Sequence, residues 1–235
     1  MLAVLVMTFV GCGVQAPPRP PRVEIPEQIK DLAATQVGRT IRITFTLPTL
    51  AVDGERLTKP VQIDIFRTLA PAGQKPAAPD TSAAPWQSLL PRELSRYTRA
   101  GKLEYPLQLS PQEFRGQQGS TYSFVVITFT RGFMGHPRKS EPSNLAQATL
   151  LDVTEPVTNF TVKGSQTALL LTWDKPVETL SGSQPAHLSG YRIYQSPTGK
   201  PDSYRLLGKP LPLTSTTRAF TLARSIISAS ARSHP

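Results

Sequence analysis

From Arg39 the chain reads Arg-Thr-Ile-Arg-Ile-Thr-Phe-Thr, with apolar and polar residues taking turns. A period of two marks a strand with one buried and one solvated face, so a strand is expected over 39–46, closed by Pro48. The alternation returns in Gln62-Ile63-Asp64-Ile65-Phe66-Arg67, after a loop holding Asp53 and Gly54, and again at Leu103, Tyr105, Leu107 and Leu109. Ile29 and Leu32 read as inward anchors of an opening strand. Tyr122 to Phe129 is different. It is apolar almost without interruption, which suits a central strand covered on both faces. Arg138 to Leu151 reads as a turn and a last strand. Ala70 to Pro85, rich in Ala and Pro without periodicity, is expected to be an exposed insertion, placed near 70–90.

The second half repeats the plan. Ala168-Leu169-Leu170-Leu171-Thr172-Trp173 matches the strand at 39–46, Tyr191-Arg192-Ile193-Tyr194 matches the one at 61–67, and Tyr204 to Gly208 follows as another. The two correspondences run 39–46 with 167–173 and 61–67 with 190–195. Proline, at 24 residues, outnumbers glycine at 15, and β-branched residues recur between proline-marked turns, so many short strands are expected and long helices are not. Glu155 to Pro235 falls short of the roughly 100 residues of a sandwich domain. Strands can be placed as far as Phe220-Thr221-Leu222, whereas 223–235 is a Ser/Ala/Arg-rich stretch with no counterpart to Tyr122–Val126. The second unit is therefore expected to lack its last two strands, with a disordered tail, as a frameshift near Leu222 would produce.

These residues resemble fibronectin type III domains. Gly119, Tyr122, Phe124 and Val126 are similar to that family's approach to its sixth strand, F. Ser140-Glu141-Pro142-Ser143-Asn144 is similar to the turn before strand G, and Ala168 to Pro176 to strand B with its core tryptophan and closing proline. Phe45 stands where that tryptophan would be in the first unit. The resemblance covers roughly 27–222. It implies an all-β chain of two tandem immunoglobulin-like (fibronectin type III) β-sandwiches, the first over 27–153 and the second, incomplete, over 154–222. It also implies that the Tyr122 hydroxyl bonds back to backbone at the E–F corner.

Cys12 is the single cysteine. It closes the uncharged apolar run Met1–Gly11, too short to span a bilayer as a helix but long enough for the apolar part of a signal peptide. Phe9-Val10-Gly11-Cys12 resembles the lipobox of bacterial lipoproteins, with Gly11 as the small residue before a cysteine that is lipidated and becomes the mature N-terminus. Residues 1–12 then form the signal peptide with lipobox Cys12, and 13–26, with Pro17, Pro18, Pro20 and Pro21, an extended tether. The other reading is a buried first strand with a free core cysteine. The lipobox resemblance implies a chain outside the cytoplasm, lipid-anchored to a membrane of the bacterial cell envelope.

The formal net charge is +10, carried entirely beyond the apolar leader. It admits an anionic partner such as an envelope glycan, but the charges are dispersed as on an ordinary solvated surface, and no basic run or recognition helix speaks for nucleic acid. His136, His187 and His234 lie far apart, and Asp53 and Glu55 lack a calcium-loop pattern, so no metal and no cofactor is expected. Gly132-Phe133-Met134-Gly135 lacks a P-loop lysine and reads as a turn between strands. No nucleophile elbow is present, and no catalytic residue is assigned. Tyr191, Arg192, Tyr194, Tyr204 and Arg205 could form a basic aromatic binding platform, or be ordinary half-buried cross-strand pairs. The chain thus reads as a non-enzymatic envelope protein acting as spacer or binding surface, toward an envelope protein or glycan. The alternatives are an accessory or linker fragment of a secreted hydrolase, or a basic module binding anionic glycan.

Overall fold

The structure, a computed structural model, describes residues 23–164, 169–184, 188–200, 203–207, 216–218 and 226–233. The fold is all-β, with two sandwiches in tandem. In the first, β1 (Ala33–Val37), β2 (Thr40–Thr46), β6 (Lys102–Gln108) and β5 (Thr98–Arg99) form one sheet in the order β1-β2-β6-β5. The facing sheet has the order β4-β3-β7-β8, made of β4 (Gln87–Leu89), β3 (Gln62–Ala70), β7 (Thr121–Arg131) and β8 (Pro137–Lys139), with β9 (Ala146–Thr149) also on β7. All pairings are antiparallel.

Register explains the core. Ile41 stands opposite Leu107 and Phe45 opposite Leu103, while on the facing sheet Ile65 opposes Val126. Opposed residues share a face, so these side chains and Phe124 meet between the sheets, and all of them are buried. Phe45 fills its place fully enclosed. The far face of β7 is buried as well: Val125, Ile127 and Phe129 are all under 9% exposed, and Asp64 on the paired strand accepts from Ser88 Oγ at 2.5 Å. Around Pro142, where no regular strand forms, serine hydroxyls stand in for the carbonyl acceptors of the ladder, while the Ser140 and Ser143 amides still donate to Thr128 O and Val126 O. Ser140 Oγ accepts from Thr128 N at 3.1 Å and Ser143 Oγ from Val126 N at 2.9 Å, continuing the ladder along β7.

Several boundaries differ from expectation. Ile29 and Leu32 do point inward, but from an extended segment ahead of β1. The first sandwich begins before Glu27, because Glu24 is buried and its carboxylate accepts from Thr58 N at 2.8 Å and Lys59 N at 3.1 Å, while Pro26 bridges to Ala51. A charged carboxylate enclosed this far needs such donors, and they fasten the end of the supposed tether to the domain. The insertion near 70–90 is shorter than its range. It ends in β4 and is followed by a short helix, α1 (Pro91–Tyr97). A second helix, α2 (Pro111–Gly116), starts in a capping box. Ser110 Oγ accepts from Glu113 N at 3.2 Å, and Glu113 Oε2 accepts from Ser110 N at 2.9 Å. Tyr122 is buried, but its hydroxyl donates to the Gln117 side chain instead of to backbone, so the corner is closed by α2's exit.

The second sandwich has β10 (Thr158–Gly164), β11 (Leu169–Asp174) and β14 (Thr216–Arg218) in one sheet, and β13 (Arg205–Leu206), β12 (Leu188–Ser196) and β15 (Ile226–Ser233) in the other. The pairings repeat the first: β11 with β14 as β2 with β6, and β12 with β15 as β3 with β7. One expectation is corrected here. The fifth strand lies at 216–218, while Phe220–Leu222 fall outside the described residues. The stretch 223–235 is not simply a tail, since β15 pairs with β12 from Leu188↔Ser233 to Ser196↔Ile226 and occupies the place of strand F. A counterpart of β9 is lacking among the described residues.

Candidate functional surfaces

Cys12 and the tether up to residue 22 lie outside the described residues, as do His187 and His234. His136 is exposed in the turn between β7 and β8, where its carbonyl accepts from Gly132 N at 2.7 Å, and Gly132–Gly135 is that turn. No group of three or more His, Cys, Asp or Glu side chains with metal-binding geometry occurs among the described residues. The groove between 27–31 and 46–50, about 220 Å³, contains Asp31, whose carboxylate is taken up by Thr46 N and by Thr46 Oγ1 at 2.7 Å. No described helix is long and apolar enough to cross a membrane.

The structure divides the predicted aromatic platform. Tyr191 is fully enclosed in the second core, its ring 5.0 Å from that of Trp173 in an edge-on contact, and so takes no part in a surface. Strand alternation sends Arg192 and Tyr194 to the other face of β12, both half-buried. Tyr194 stands opposite Leu206 and Gln195 opposite Arg205, so Arg205 takes the face of Gln195 and not that of Arg192 and Tyr194, and Tyr204 lies just ahead of β13. Four of the five residues thus lie on or beside the paired strands β12 and β13, without sharing one face.

A different aromatic group was not visible in the sequence. Trp86, Tyr97 and Tyr105 are half-buried, with ring centroids 6.0 Å apart for Trp86–Tyr105 and 4.9 Å for Tyr97–Tyr105. The Arg67 guanidinium lies 4.6 Å from the Trp86 centroid and 5.5 Å from that of Tyr122, within the range of cation–π attraction. Burial, then the neighbouring Tyr97 and Glu93, pushes the Tyr105 hydroxyl above its ordinary range. The rings meet edge to face and pack on the first core, sealing the flank of the sandwich and offering no open flat face. No single segment announces this group, because its members come from β3, the insertion's end, α1 and β6.

The junction between the sandwiches is the most tightly specified surface feature. Gln36 on β1 holds Leu151 through both amide atoms, donating to its carbonyl at 2.8 Å and accepting from its N–H at 2.9 Å. From the other side, Ser181 donates to Asp152 through N at 3.2 Å and Oγ at 2.6 Å, and Leu180 N donates to Val153 O at 2.9 Å. Thr154 then bridges to Thr179, and Glu155 N donates to Glu178 O at 3.1 Å. Leu180 itself packs on the first core, close over Gly38 in the β1–β2 turn, where φ is +61°. A side chain of the second unit therefore plugs the first.

No protein-family model matches the chain, and no curated protein matches it either. Among solved structures, that of chicken CNTN1 FN1-FN3 domains is similar over 87% of this chain and 60% of that one, at 16% identity and a TM-score of 0.34. The chain thus spans less than two thirds of that structure's length. The all-β sandwich architecture stands on the strand pairings themselves.

Proposed function

We propose that this is a non-enzymatic protein of the bacterial cell envelope, anchored outside the cytoplasm by a lipidated Cys12, whose two sandwiches act as a spacer carrying a binding surface. The observation that carries the spacer role is the junction. Leu151, Val153, Thr154 and Glu155 are held through backbone, and Asp152 through its carboxylate, by one sandwich or the other, and Leu180 adds apolar contact. A connection held at successive residues transmits a fixed direction, which a Gly/Ser linker cannot do. Anchoring is supported by the apolar run, Gly11 and Cys12. Several acyl chains on one cysteine bind a bilayer durably where one binds marginally.

Fatty-acid labelling with membrane fractionation tests the anchor: the natural chain should take label and pellet with membranes, and Cys12→Ala should do neither. Label retained by the variant would refute it. A second reading, attachment to an anionic glycan, draws on the net charge of +10 and on Arg192 and Tyr194 on one face of β12 with Tyr204 and Arg205 at the neighbouring strand. Such binding would weaken steeply as salt is raised.

A further inference from the structure

β7 runs the length of the first sandwich and has a different neighbour at each end. At its start, Thr121 pairs with Thr149 on β9, and Leu150 N donates to Ser120 O at 2.8 Å, which leads into the junction with the second sandwich. At its finish, the Thr130 hydroxyl donates to Glu24 O, so the segment arriving from Cys12 meets the sandwich beside the β7–β8 hairpin. Entry point and junction are thus separated by the 11 residues of β7, about 30 Å of strand.

The hairpin reads Arg131-Gly132-Phe133-Met134-Gly135-His136-Pro137-Arg138-Lys139, with no carboxylate. Arg131, His136, Arg138 and Lys139 are exposed. Met134, at 81%, is the most exposed large apolar side chain among the described residues. Its backbone has φ +56°, a left-handed value uncommon for a residue with a side chain, and Gly132 N pins the turn by donating to His136 O at 2.7 Å. A basic rim round a protruding apolar side chain suits an anionic bilayer surface, where cations meet headgroups and the apolar tip enters the boundary beneath them. The arriving segment 12–22 adds Arg19 and Arg22 and no carboxylate. The turn of Asp53 and Glu55, which Val52 N joins to Ile25 O at 2.9 Å, is acidic and limits the contact to the hairpin.

We propose that the β7–β8 hairpin is a second membrane contact, setting Arg131, Arg138 and Lys139 among anionic phospholipid headgroups with Met134 below them. The proposal rests on the reading of Cys12 as the anchor. Residues 12–23 span at most about 40 Å when extended, so an anchored chain carries the hairpin within reach of the same bilayer. A weak contact then suffices, because it is intramolecular. Held at both points, the first sandwich stands with its junction end outward and carries the second away from the surface.

The test couples the full chain through Cys12, its single cysteine, to a maleimide-bearing lipid in vesicles with brominated acyl chains. The coupling supplies the anchor whether or not a cell acylates Cys12, so this experiment judges the hairpin alone, and fatty-acid labelling judges the anchor. Met134→Trp provides the probe, read as quenching above that of the parent, whose Trp86 is half-buried and Trp173 buried. Vesicles with about 30% phosphatidylglycerol should quench the probe several-fold more than phosphatidylcholine alone. Arg131→Glu with Arg138→Glu and Lys139→Glu should abolish that difference while the first unfolding transition stays cooperative. If the triple variant does not fold, salt at about 0.5 M makes the same test on the unaltered hairpin and should abolish the difference too. Val177→Trp, at a side chain 71% exposed beyond the junction, should escape quenching in both lipids. Absence of quenching in anionic vesicles, quenching that ignores lipid charge, quenching that survives charge reversal in a folded variant or high salt, or equal quenching at position 177 would each overturn the proposal.

Discussion

The two sandwiches share a pairing plan but differ in how they are closed. In the first, eighteen buried residues form one cluster, and its flanks are sealed by α1, α2, the Trp86–Tyr105 contact and the hydroxyl ladder of Ser140 and Ser143. In the second, five buried residues among the described ones, Trp173 and Tyr191 included, form the cluster, and Trp173 Nε1 and the Tyr191 hydroxyl are buried without a hydrogen-bond partner among the described residues. Alternating strands suffice to build two sheets and face them. Satisfying the polar atoms and filling the rim takes irregular segments, which the first unit has and the described part of the second has far less of. The first should therefore behave as an independently stable domain and the second as the weaker partner.

The largest expected effect tests the first core. Phe124 is fully enclosed between Ile65 and Val126 on one sheet and Phe45 on the other. Phe124→Ala should cost about 3–5 kcal/mol, read from the denaturant midpoint of the first transition. A cost near zero would mean that the faces of β7 are assigned the wrong way round.

The next breaks the coupling between units. Leu180 is only partly buried, so Leu180→Ala should lose about 1–2 kcal/mol of apolar contact. Leu180→Asp should go further. The two unfolding transitions, linked in the parent, should separate, and small-angle scattering should show a broader spread of interdomain distances. Unchanged scattering from Leu180→Asp would remove the support for a rigid spacer.

The tyrosines sharpen the comparison most directly. Tyr122 donates to Gln117, whereas Tyr191 has no partner among the described residues, though both rings are buried. Tyr122→Phe should therefore cost about 1 kcal/mol, whereas Tyr191→Phe, which removes a buried hydroxyl with no partner among those residues, should be neutral or stabilising by a similar amount. Equal costs at both positions, measured by thermal melts, would show that the second core satisfies its polar atoms after all.

What could be read from the sequence follows the same division. Strands β2, β3 and β11 were legible because their inward residues are large and strictly alternating: Ile41, Ile43 and Phe45, then Ile63 and Ile65, then Leu171 and Trp173. β15 was not, because Ala229 and Ala231 stand at the positions facing Ile193 and Tyr191, and alanine beside serine gives no hydropathy contrast. Leu180 was hidden among Thr179, Ser181 and Ser183, a polar loop by any local measure. α1 carries no capping side chain at Leu90, so its start rests on Pro91 at the first helical position and on Glu93, whose carboxylate accepts from Leu90 N at 2.9 Å. α2 did carry one, Ser110-Pro111-Gln112-Glu113, the Ser-x-x-Glu pattern with proline at the first helical position. Of the candidate platform, the sequence could name the residues but not the face of each. That depended on the register of β12, which puts Tyr191 inside.

The smallest expected effect concerns that capping box and its pH dependence. The Ser110 backbone N–H, followed by the Ser110 side chain, holds the Glu113 carboxyl below the ordinary glutamate range. A carboxylate whose affinity for protons falls on folding stabilises the native state above its unfolded-state pKa, and the contribution fades as pH drops through the folded value. Glu113 is fully exposed, and solvent screens much of the interaction. Glu113→Gln keeps the reciprocal hydrogen bond but removes the charge at the helix start, so the comparison isolates the ionised form. The variant should melt slightly below the parent at about pH 7, and the gap should narrow as the pH is lowered and the carboxyl takes up its proton. The effect should be confined to the first transition, because α2 and Gln117 close that sandwich alone. A gap that persists in acid would show that the capping geometry, and not the charge, stabilises α2. A gap in the second transition would show that α2 also supports the docked loop at Leu180, with Arg115 beside Gly182 as the point of contact.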